Sequence, residues 1–157
     1  MELLWQELTN GIPEFRNLWI ILIRVIAATL LGAAVGFQRE RVGKPAGLRT
    51  HILVSLGTAV VVLACAGSGM SMEGQSRVIQ GIVTGIGFIG AGSILKVSEE
   101  KDIRGLTTAA GLWLTAAIGV ASGLGMIGLA LITAILALII LAAEGVLARF
   151  RKKPQEA

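Results

Sequence analysis

Three residue types that often build enzyme and metal sites occur only once each in this 157-residue chain, as His51, Cys65 and Asp102. A single cysteine cannot form an internal disulfide, and one histidine with one cysteine cannot supply the ligand spacing of a metal site. The aspartate lies far from His51 in the sequence, so no Ser/His/Asp nucleophile set can be recognised. We therefore expect a protein that is not an enzyme and that holds no metal and no cofactor.

Charged residues are also few, at 15%, whereas hydrophobic residues make up 54% of the chain and the mean hydropathy is +0.79. The apolar residues form five long runs, at 18–37, 51–67, 78–95, 106–122 and 124–147. A helix of about 20 apolar residues crosses a hydrocarbon core of about 30 Å, and about 17 can suffice. The sequence therefore predicts an all-α integral membrane protein. Residues 1–147 would form a transmembrane bundle of five helices, and 148–157 a basic cytoplasmic tail.

The basic residues indicate the orientation of this bundle. With the amino terminus outside, all but three of the 14 lysines and arginines fall in the loops 38–50 and 96–105 or in the tail. These are Arg39, Arg41, Lys44, Arg49, Lys96, Lys101, Arg104, Arg149, Arg151, Lys152 and Lys153. Cytoplasmic loops carry an excess of basic residues, so we predict the amino terminus outside and the carboxyl terminus in the cytoplasm. Because the charges lie at helix ends, we expect a lipid bilayer and no nucleic acid as partner.

Small residues predict where the helices contact one another, because they allow close approach of helix backbones in a membrane. The third run contains Gly81, Gly85, Gly87, Gly90 and Gly92. This density predicts a central helix that is crowded by its neighbours. In the first run, Gly32 and Gly36 follow Arg24 and Ala28 at steps of four, which keeps all four near one helix face.

Arg24 is the strongest single candidate for a functional residue. It lies about 10 Å from the outer end of the first run at 1.5 Å per residue. An arginine at the centre of a bilayer costs at least about 2.5 kcal/mol, so it needs a partner or water. Its side chain could extend to the outer lipid head groups, or it could form an ion pair or anion site inside the bundle. The small residues on its face favour the interior position.

A second group of candidates lies at the predicted cytoplasmic ends of the helices. Its members are Arg39, Glu40, Arg49, Thr50, His51, Arg104, Thr107 and Thr108. The threonines stand at two helix starts, where hydroxyl groups commonly cap free backbone N–H groups. Two helix starts beside Arg39, Arg49 and Arg104 would form an electropositive pocket for a phosphate or carboxylate. The alternative is ordinary capping, with the basic side chains bound to lipid head groups. Glu40 could pair with Lys44 or hold an arginine of another loop.

An internal repeat is a further feature of the sequence. A shift of 58 residues without gaps places Gly-Ala at 32–33 on Gly-Ala at 90–91, and Gly-Leu-Arg-Thr at 47–50 on Gly-Leu-Thr-Thr at 105–108. Both copies run helix, loop, helix in the same orientation. Two interpretations are open: chance similarity in a biased composition, or a parallel repeat of helix pairs, an arrangement found in some transporters.

Three separated motifs of this chain resemble those of the MgtC/SapB family of membrane proteins. They are Arg24 with 32–41 (GAAVGFQRER) and 44–51 (KPAGLRTH); Arg77 with 84–92 (TGIGFIGAG); and 104–110 (RGLTTAA) with 112–113 (LW) and 115–119 (TAAIG). The motifs follow the order of the family, and the resemblance covers about residues 20–145. One departure is Gln38-Arg39, where the family usually has Glu-Arg, although Glu40-Arg41 keeps a similar charge pair.

The resemblance implies a multi-pass bacterial inner-membrane protein linked to magnesium limitation and, in pathogens, to survival inside host cells. For better-known members it implies regulation of other membrane machines, including the ATP synthase, more than transport of magnesium. We expect a short form, without the soluble carboxyl-terminal domain of the virulence-associated members.

Two functions remain open for such a protein. One is a non-enzymatic regulator of membrane ion homeostasis whose cytoplasmic loops bind a partner membrane protein. The other is a small homo-oligomeric transporter or channel component for an ion or small anion. The absence of a chain of intramembrane carboxylates favours the regulator, whereas Arg24 and the repeat favour the transporter. A structural membrane component, or an enzyme with an unrecognised site, is a third interpretation.

Overall fold

The computed structural model describes residues 1, 2, 4, 15–97 and 102–151. In this part of the chain it contains five long helices and one short hairpin. In order these are α1 (Phe15–Arg41), α2 (Leu48–Gly67), α3 (Met72–Gly92), β1 (Leu95–Val97), β2 (Asp102–Arg104), α4 (Leu106–Gly123) and α5 (Ile127–Arg151). The predicted bundle of five helices is confirmed. The last residues of the predicted tail, 152–157, lie outside the described residues.

Three of these helices are long and apolar enough to cross a membrane, by the measure of length and hydropathy over the described residues. They are α1 (over Asn17–Arg41), α2 (Leu48–Gly67) and α4 (Leu106–Gly123). A shorter apolar segment, Ile127–Ala143, lies in α5. The amino-terminal half of α3 includes Gln75, Arg77 and Gln80, which lower its hydropathy. Five membrane spans, the orientation of the bundle and the internal repeat therefore remain predictions.

α4 is the central helix of the bundle. It packs against each of the other four helices, and 56% of its span is buried, compared with 17% and 22% for α1 and α2. Two glycines bring its backbone close to α2. A Cβ atom at Gly119 would collide with the backbone oxygen of Ser55, and one at Gly123 would lie 2.8 Å from the backbone oxygen of Ala59. Such close contact between helices is the usual role of small residues in membranes.

The glycine-rich helix α3 lies at the edge of the bundle, so the prediction that it is the central helix is wrong. Its buried residues are Ile86 and Gly90. A Cβ at Gly90 would lie 3.5 Å from the Cβ of Ala109 on α4. The other predicted contact glycines, at which a Cβ would meet no described atom within 4 Å, are Gly81, Gly85, Gly87 and Gly92. A high density of glycine indicates that a helix can be approached closely, but it does not indicate which helix approaches.

α1 packs along α2 through the small-residue face that begins at Arg24. Ala28, Gly32 and Gly36 on this face are buried. A Cβ at Gly32 would lie 2.8 Å from the backbone oxygen of His51, and one at Gly36 would lie 2.8 Å from the Cα of Leu48. The spacing of four in the sequence thus corresponds to one continuous line of contact.

An antiparallel hairpin of β1 and β2 connects α3 to α4. The third apolar run extends to Leu95, but α3 ends at Gly92 and Leu95 begins β1. Gly105 follows β2 with φ of +98°, and a Cβ there would collide with the backbone oxygen of Ser93. Only glycine fits a left-handed conformation in so crowded a position. This turn brings Arg104 and the first residues of α4 to the end of the bundle where α1 ends.

Candidate functional site

Arg24 points into the bundle and binds the end of the central helix. Its Nη1 donates a hydrogen bond of 2.9 Å to the backbone oxygen of Gly123. A Cβ at Gly125, which has φ of +83°, would lie 2.5 Å from Nη2 of Arg24. The last carbonyl groups of a helix lack intrahelical donors and carry partial negative charge, so a guanidinium group is a favourable partner there. The guanidinium group therefore lies on the interior side of α1, but its observed partner is a backbone carbonyl group rather than the predicted ion-pair partner or anion.

Arg39 occupies the opposite end of α4. Its side chain is only 1% exposed, and its Nη2 donates a hydrogen bond of 3.3 Å to Oγ1 of Thr108 in the first turn of α4. Arg39 therefore joins the carboxyl end of α1 to the amino end of α4. We call this end of the bundle, where Arg39, Lys44, Arg49 and Arg104 lie, the basic end.

His51 is fully buried between α2 and α4. Its Nδ1 lies 2.7 Å from Oγ1 of Thr115, and the same hydroxyl group donates to the backbone oxygen of Gly111 at 2.9 Å. Because a hydroxyl group has one proton, we assign the proton of the first contact to Nδ1 of the histidine. Nε2 is then an acceptor, and it has no partner among the described residues.

Further hydroxyl groups continue this line of polar side chains along α2. Oγ1 of Thr58 lies 3.2 Å from the backbone oxygen of Ala116 on α4, and its one proton is shared between this acceptor and the backbone oxygens of Val54 and Ser55 on α2. Ser55, one turn earlier, is buried, and its Oγ has no hydrogen-bond partner in the described part of the chain. We call this line the polar seam, defined by Arg39, His51, Ser55, Thr58, Thr108 and Thr115. It follows the contact of α4 with α1 and α2.

A cavity of about 580 Å³ lies at the basic end, between the end of α1, the following loop, the hairpin and the start of α4. Its lining residues are Arg39, Gly43, Lys44, Pro45, Ser93, Ile103, Arg104, Gly105, Leu106, Thr107 and Thr108. We call it the basic cavity, because three of the described residues that line it are basic and none of those described is acidic. Its volume is within the range of small-molecule sites.

Arg49 was predicted in the same pocket, but the structure places it elsewhere. It lines a separate apolar groove of about 550 Å³ between α2 and α3, together with residues such as Leu53 and Ile82. The basic cavity therefore has one helix start rather than two, and Lys44 occupies the place predicted for Arg49. The loop position of Lys44 gave no periodic signal in the sequence that could have placed it there.

The predicted capping by threonines is wrong for both helices. The N-cap residues are Gly47 for α2 and Gly105 for α4, and neither makes a side-chain cap hydrogen bond. Glu40 caps α2 instead, because its Oε2 accepts a hydrogen bond of 2.8 Å from the backbone N–H of Leu48. A carboxylate at this position also interacts favourably with the helix dipole. Thr50 lies inside the first turn of α2.

The sequence analysis does not place Thr58 or Thr115 in a site. For Thr115, the spacing from Thr108 contains a signal. On α4, Thr108 and Thr115 are seven residues apart, which is two helical turns, and both are buried. Among the described residues, no group of three or more His, Cys, Asp or Glu side chains could hold a metal ion.

Apolar spanning helices around a polar seam, with a basic cavity at one end, define a helical membrane protein. A family model for the MgtC family matches residues 25–150. The chain belongs to the MgtC family, as its motifs predict.

Curated relatives support the same assignment. The chain is 42% identical over 120 residues to Protein SrpB of Synechococcus elongatus, a match that covers 69% of this chain and 66% of the relative. It is 40% identical over 127 residues to a protein of Escherichia coli named Putative magnesium transporter YhiD, covering 76% and 58%. It is 44% identical over 117 residues to Protein MgtC of Salmonella typhimurium, covering 74% and 49%. The match thus spans about half to two thirds of each relative. No solved structure matches the chain.

Proposed function

We propose that this protein is a non-enzymatic regulator of ion homeostasis in the bacterial inner membrane under magnesium limitation. Its working surface is the basic end of the bundle, which lies in the cytoplasm and binds a partner membrane protein. The link to magnesium rests on the family and on the name of one relative, a putative magnesium transporter. The regulatory role rests on how the bundle is packed.

The proposed topology has five membrane spans with the amino terminus outside. Short turns at 68–71 and 124–126 connect α2 to α3 and α4 to α5. Since α2 and α4 are long and apolar enough to cross, such turns favour a return crossing by the helix that follows each of them. The excess of lysine and arginine at the basic end favours a cytoplasmic location for it.

The observation that carries the regulatory role is the close contact between α2 and the central helix α4. At Gly119 and Gly123 the backbone of α4 lies directly against α2, so that not even a methyl group could be added without a collision. Guanidinium groups lie near both ends of α4, at Gly123 and at Thr108. Mg²⁺ prefers oxygen ligands and is repelled by nearby positive charge. Accessible polar space is present instead at the basic end, in the basic cavity.

A small oligomeric transporter for an ion or small anion is the second candidate. It is favoured by the name of the relative in Escherichia coli and by the polar seam, in which buried oxygen and nitrogen atoms follow the contact between α2 and α4. A conduit along this seam would require α2 and α4 to separate.

One experiment with two readouts distinguishes these functions. Purified protein is reconstituted into liposomes, and entry of Mg²⁺ and of small anions is measured. In parallel, the gene is expressed in a strain that lacks its own family member and grows poorly in low magnesium. A regulator restores growth and produces no flux. Flux that is lost in Thr115→Val, with the protein still folded, would contradict the regulator and establish the transporter.

A further inference from the structure

We propose that the groove between α2 and α3 binds one acyl chain of an anionic phospholipid, and that the phosphate group of this lipid contacts Arg49. We call it the α2–α3 groove; it has a volume of about 550 Å³, and Arg49, Leu53 and Ile82 are among its lining residues. The inference rests on the proposed function only in placing the basic end at the cytoplasmic leaflet. The bound lipid would hold the edge helix α3 against α2.

The first argument is that two glycines face the groove, yet the helices do not close over it. Gly57 on α2 and Gly85 on α3 both line the groove, and a Cβ at either would meet no described atom within 4 Å. Small residues normally bring membrane helices into contact, as Gly119 and Gly123 do for α4 and α2. The space beside Gly57 and Gly85 is therefore available to another molecule.

The second argument is the apolar character of the lining. Leu53 and Ile89 line the groove and are 67% and 49% exposed. Lipid tails are as apolar as leucine, so they solvate such side chains at no cost. Among the described residues that line the groove, Arg49 is the only charged one. The body of the groove therefore suits a hydrocarbon chain.

The third argument is the position of the single charge. Arg49 lies in the first turn of α2, at the basic end, and its side chain is exposed. It is the first residue of α2 that lines the groove, and the lining continues along the helix to Val61. An arginine near the end of a spanning helix reaches the level of the head groups, where its guanidinium group can bind a phosphate. The cytoplasmic leaflet carries anionic lipids, so charge complementarity favours an anionic phospholipid.

The length of the groove favours a lipid over a helix of another protein. From Arg49 to Val61, α2 rises by about 18 Å at 1.5 Å per residue. The hydrocarbon part of one leaflet is about 15 Å, half of the full core. The groove therefore matches one acyl chain that enters from the leaflet at the basic end. A partner helix would require a groove along the whole membrane.

The test is native mass spectrometry of the purified full chain in dodecyl maltoside micelles. The protein is titrated with phosphatidylglycerol or with phosphatidylcholine of identical acyl chains, and the Kd of the first bound lipid is measured. One arginine near an anionic head group should make the Kd for phosphatidylglycerol about fivefold lower. Equal Kd values for the two lipids overturn the proposal. Micelles have no sides, so the result does not depend on the orientation of the bundle.

One pair of variants locates the head group. Arg49→Gln should abolish the preference for phosphatidylglycerol. Arg41→Gln is the matched control, because Arg41 is an exposed basic residue at the same end that packs over the ring of Phe37 on α1, outside the groove. It should keep the preference. A preference that survives in Arg49→Gln, or an equal loss in both variants, would show attraction to diffuse surface charge and overturn the site.

A second pair locates the acyl chain. Gly85→Leu fills the groove and should raise the Kd for both lipids at least about tenfold, through overpacking against the chain. Gly87→Leu is its control, since Gly87 lies on the other side of α3 and a Cβ there would also meet no described atom. It should keep the affinity of the wild type. Both leucines enter open space, so both variants should fold.

Unchanged lipid affinity in Gly85→Leu would overturn the proposal. The same spectra report the mass of the complex, so a dimer that is lost in this variant, with lipid binding unchanged, would assign the groove to a second copy of the chain instead. Growth in low magnesium and ion flux are measured separately. Failure of lipid binding therefore leaves the regulatory function standing.

Discussion

Replacement of Gly119 by alanine should destabilise this protein, whereas the same replacement at Gly81 should not. Both glycines lie in helices with apolar sequences, and the sequence alone favours Gly81 as the more crowded position. In the structure, a Cβ at Gly119 would collide with the hydroxyl group of Thr58 and the backbone oxygen of Ser55. A Cβ at Gly81 would meet no described atom within 4 Å. The pair therefore tests whether α4 or α3 is the central helix.

The expected magnitude at Gly119 follows from three contributions. A Cβ there would lie 2.9 Å from the backbone carbon of Ser55, so α2 and α4 must move apart; overpacking of this kind costs about 1–3 kcal/mol. Separation also weakens the 3.2 Å hydrogen bond from Thr58 to Ala116, a loss of about 1 kcal/mol. Alanine recovers about 1 kcal/mol through its greater helix propensity. The free energy of unfolding should therefore fall by about 1–3 kcal/mol.

Unfolding of the purified protein in micelles, followed by tryptophan fluorescence against denaturant, measures both variants under identical conditions. The free energy of unfolding of Gly81→Ala should be unchanged or higher by up to about 1 kcal/mol, because only the contribution of helix propensity remains. Equal losses for the two variants would refute the reasoning. A loss at Gly81 alone would show that α3 is crowded after all.

The same unfolding assay checks three further predictions. Arg24→Leu leaves the carbonyl group of Gly123 without its donor, so we expect a loss of about 1.5–3 kcal/mol; Arg24→Lys should recover part of it, and an unchanged stability in Arg24→Leu would contradict the contact. Glu40→Ala removes the acceptor of the Leu48 N–H group and should cost about 1 kcal/mol, with a smaller effect for Glu40→Gln. Thr115→Val removes the oxygen beside the buried histidine and should cost about 1–3 kcal/mol, while Thr115→Ser should be close to wild type; equal stabilities of these two variants would count against the hydrogen bond between Thr115 and His51.

Much of the fold could be predicted because bilayer physics acts locally on the sequence. A run of apolar residues long enough to span the membrane specifies a helix whatever its neighbours are. The face shared by Arg24, Ala28, Gly32 and Gly36 was also readable, since steps of four place residues on one side of a helix. Each of these signals can be recognised in the sequence of a single helix.

The arrangement of the helices could not be predicted in the same way, because it depends on contacts between pairs of helices. The dense glycines of α3 predict close contact more strongly than the glycines of α4 do, and only the structure shows that Gly119 and Gly123 face α2 within this chain. The partner of Arg24 is likewise a carbonyl group 99 residues away, which no spacing rule indicates. Glu40 caps a helix eight residues later because the intervening loop turns back, and the turn was not visible in the charge pattern.

The two buried or half-buried arginines also show why residue type alone does not define a role. Arg24 lies at the carboxyl end of α4, where its charge opposes the partial negative charge of the last carbonyl groups and is stabilising. Arg39 lies at the amino end of the same helix, where its charge adds to partial positive charge. At that end, its hydrogen bond to Thr108 joins the carboxyl end of α1 to the first turn of α4. The two arginines therefore hold opposite ends of α4 by different interactions, a charge beside helix-end carbonyl groups in one case and a hydrogen bond between side chains in the other.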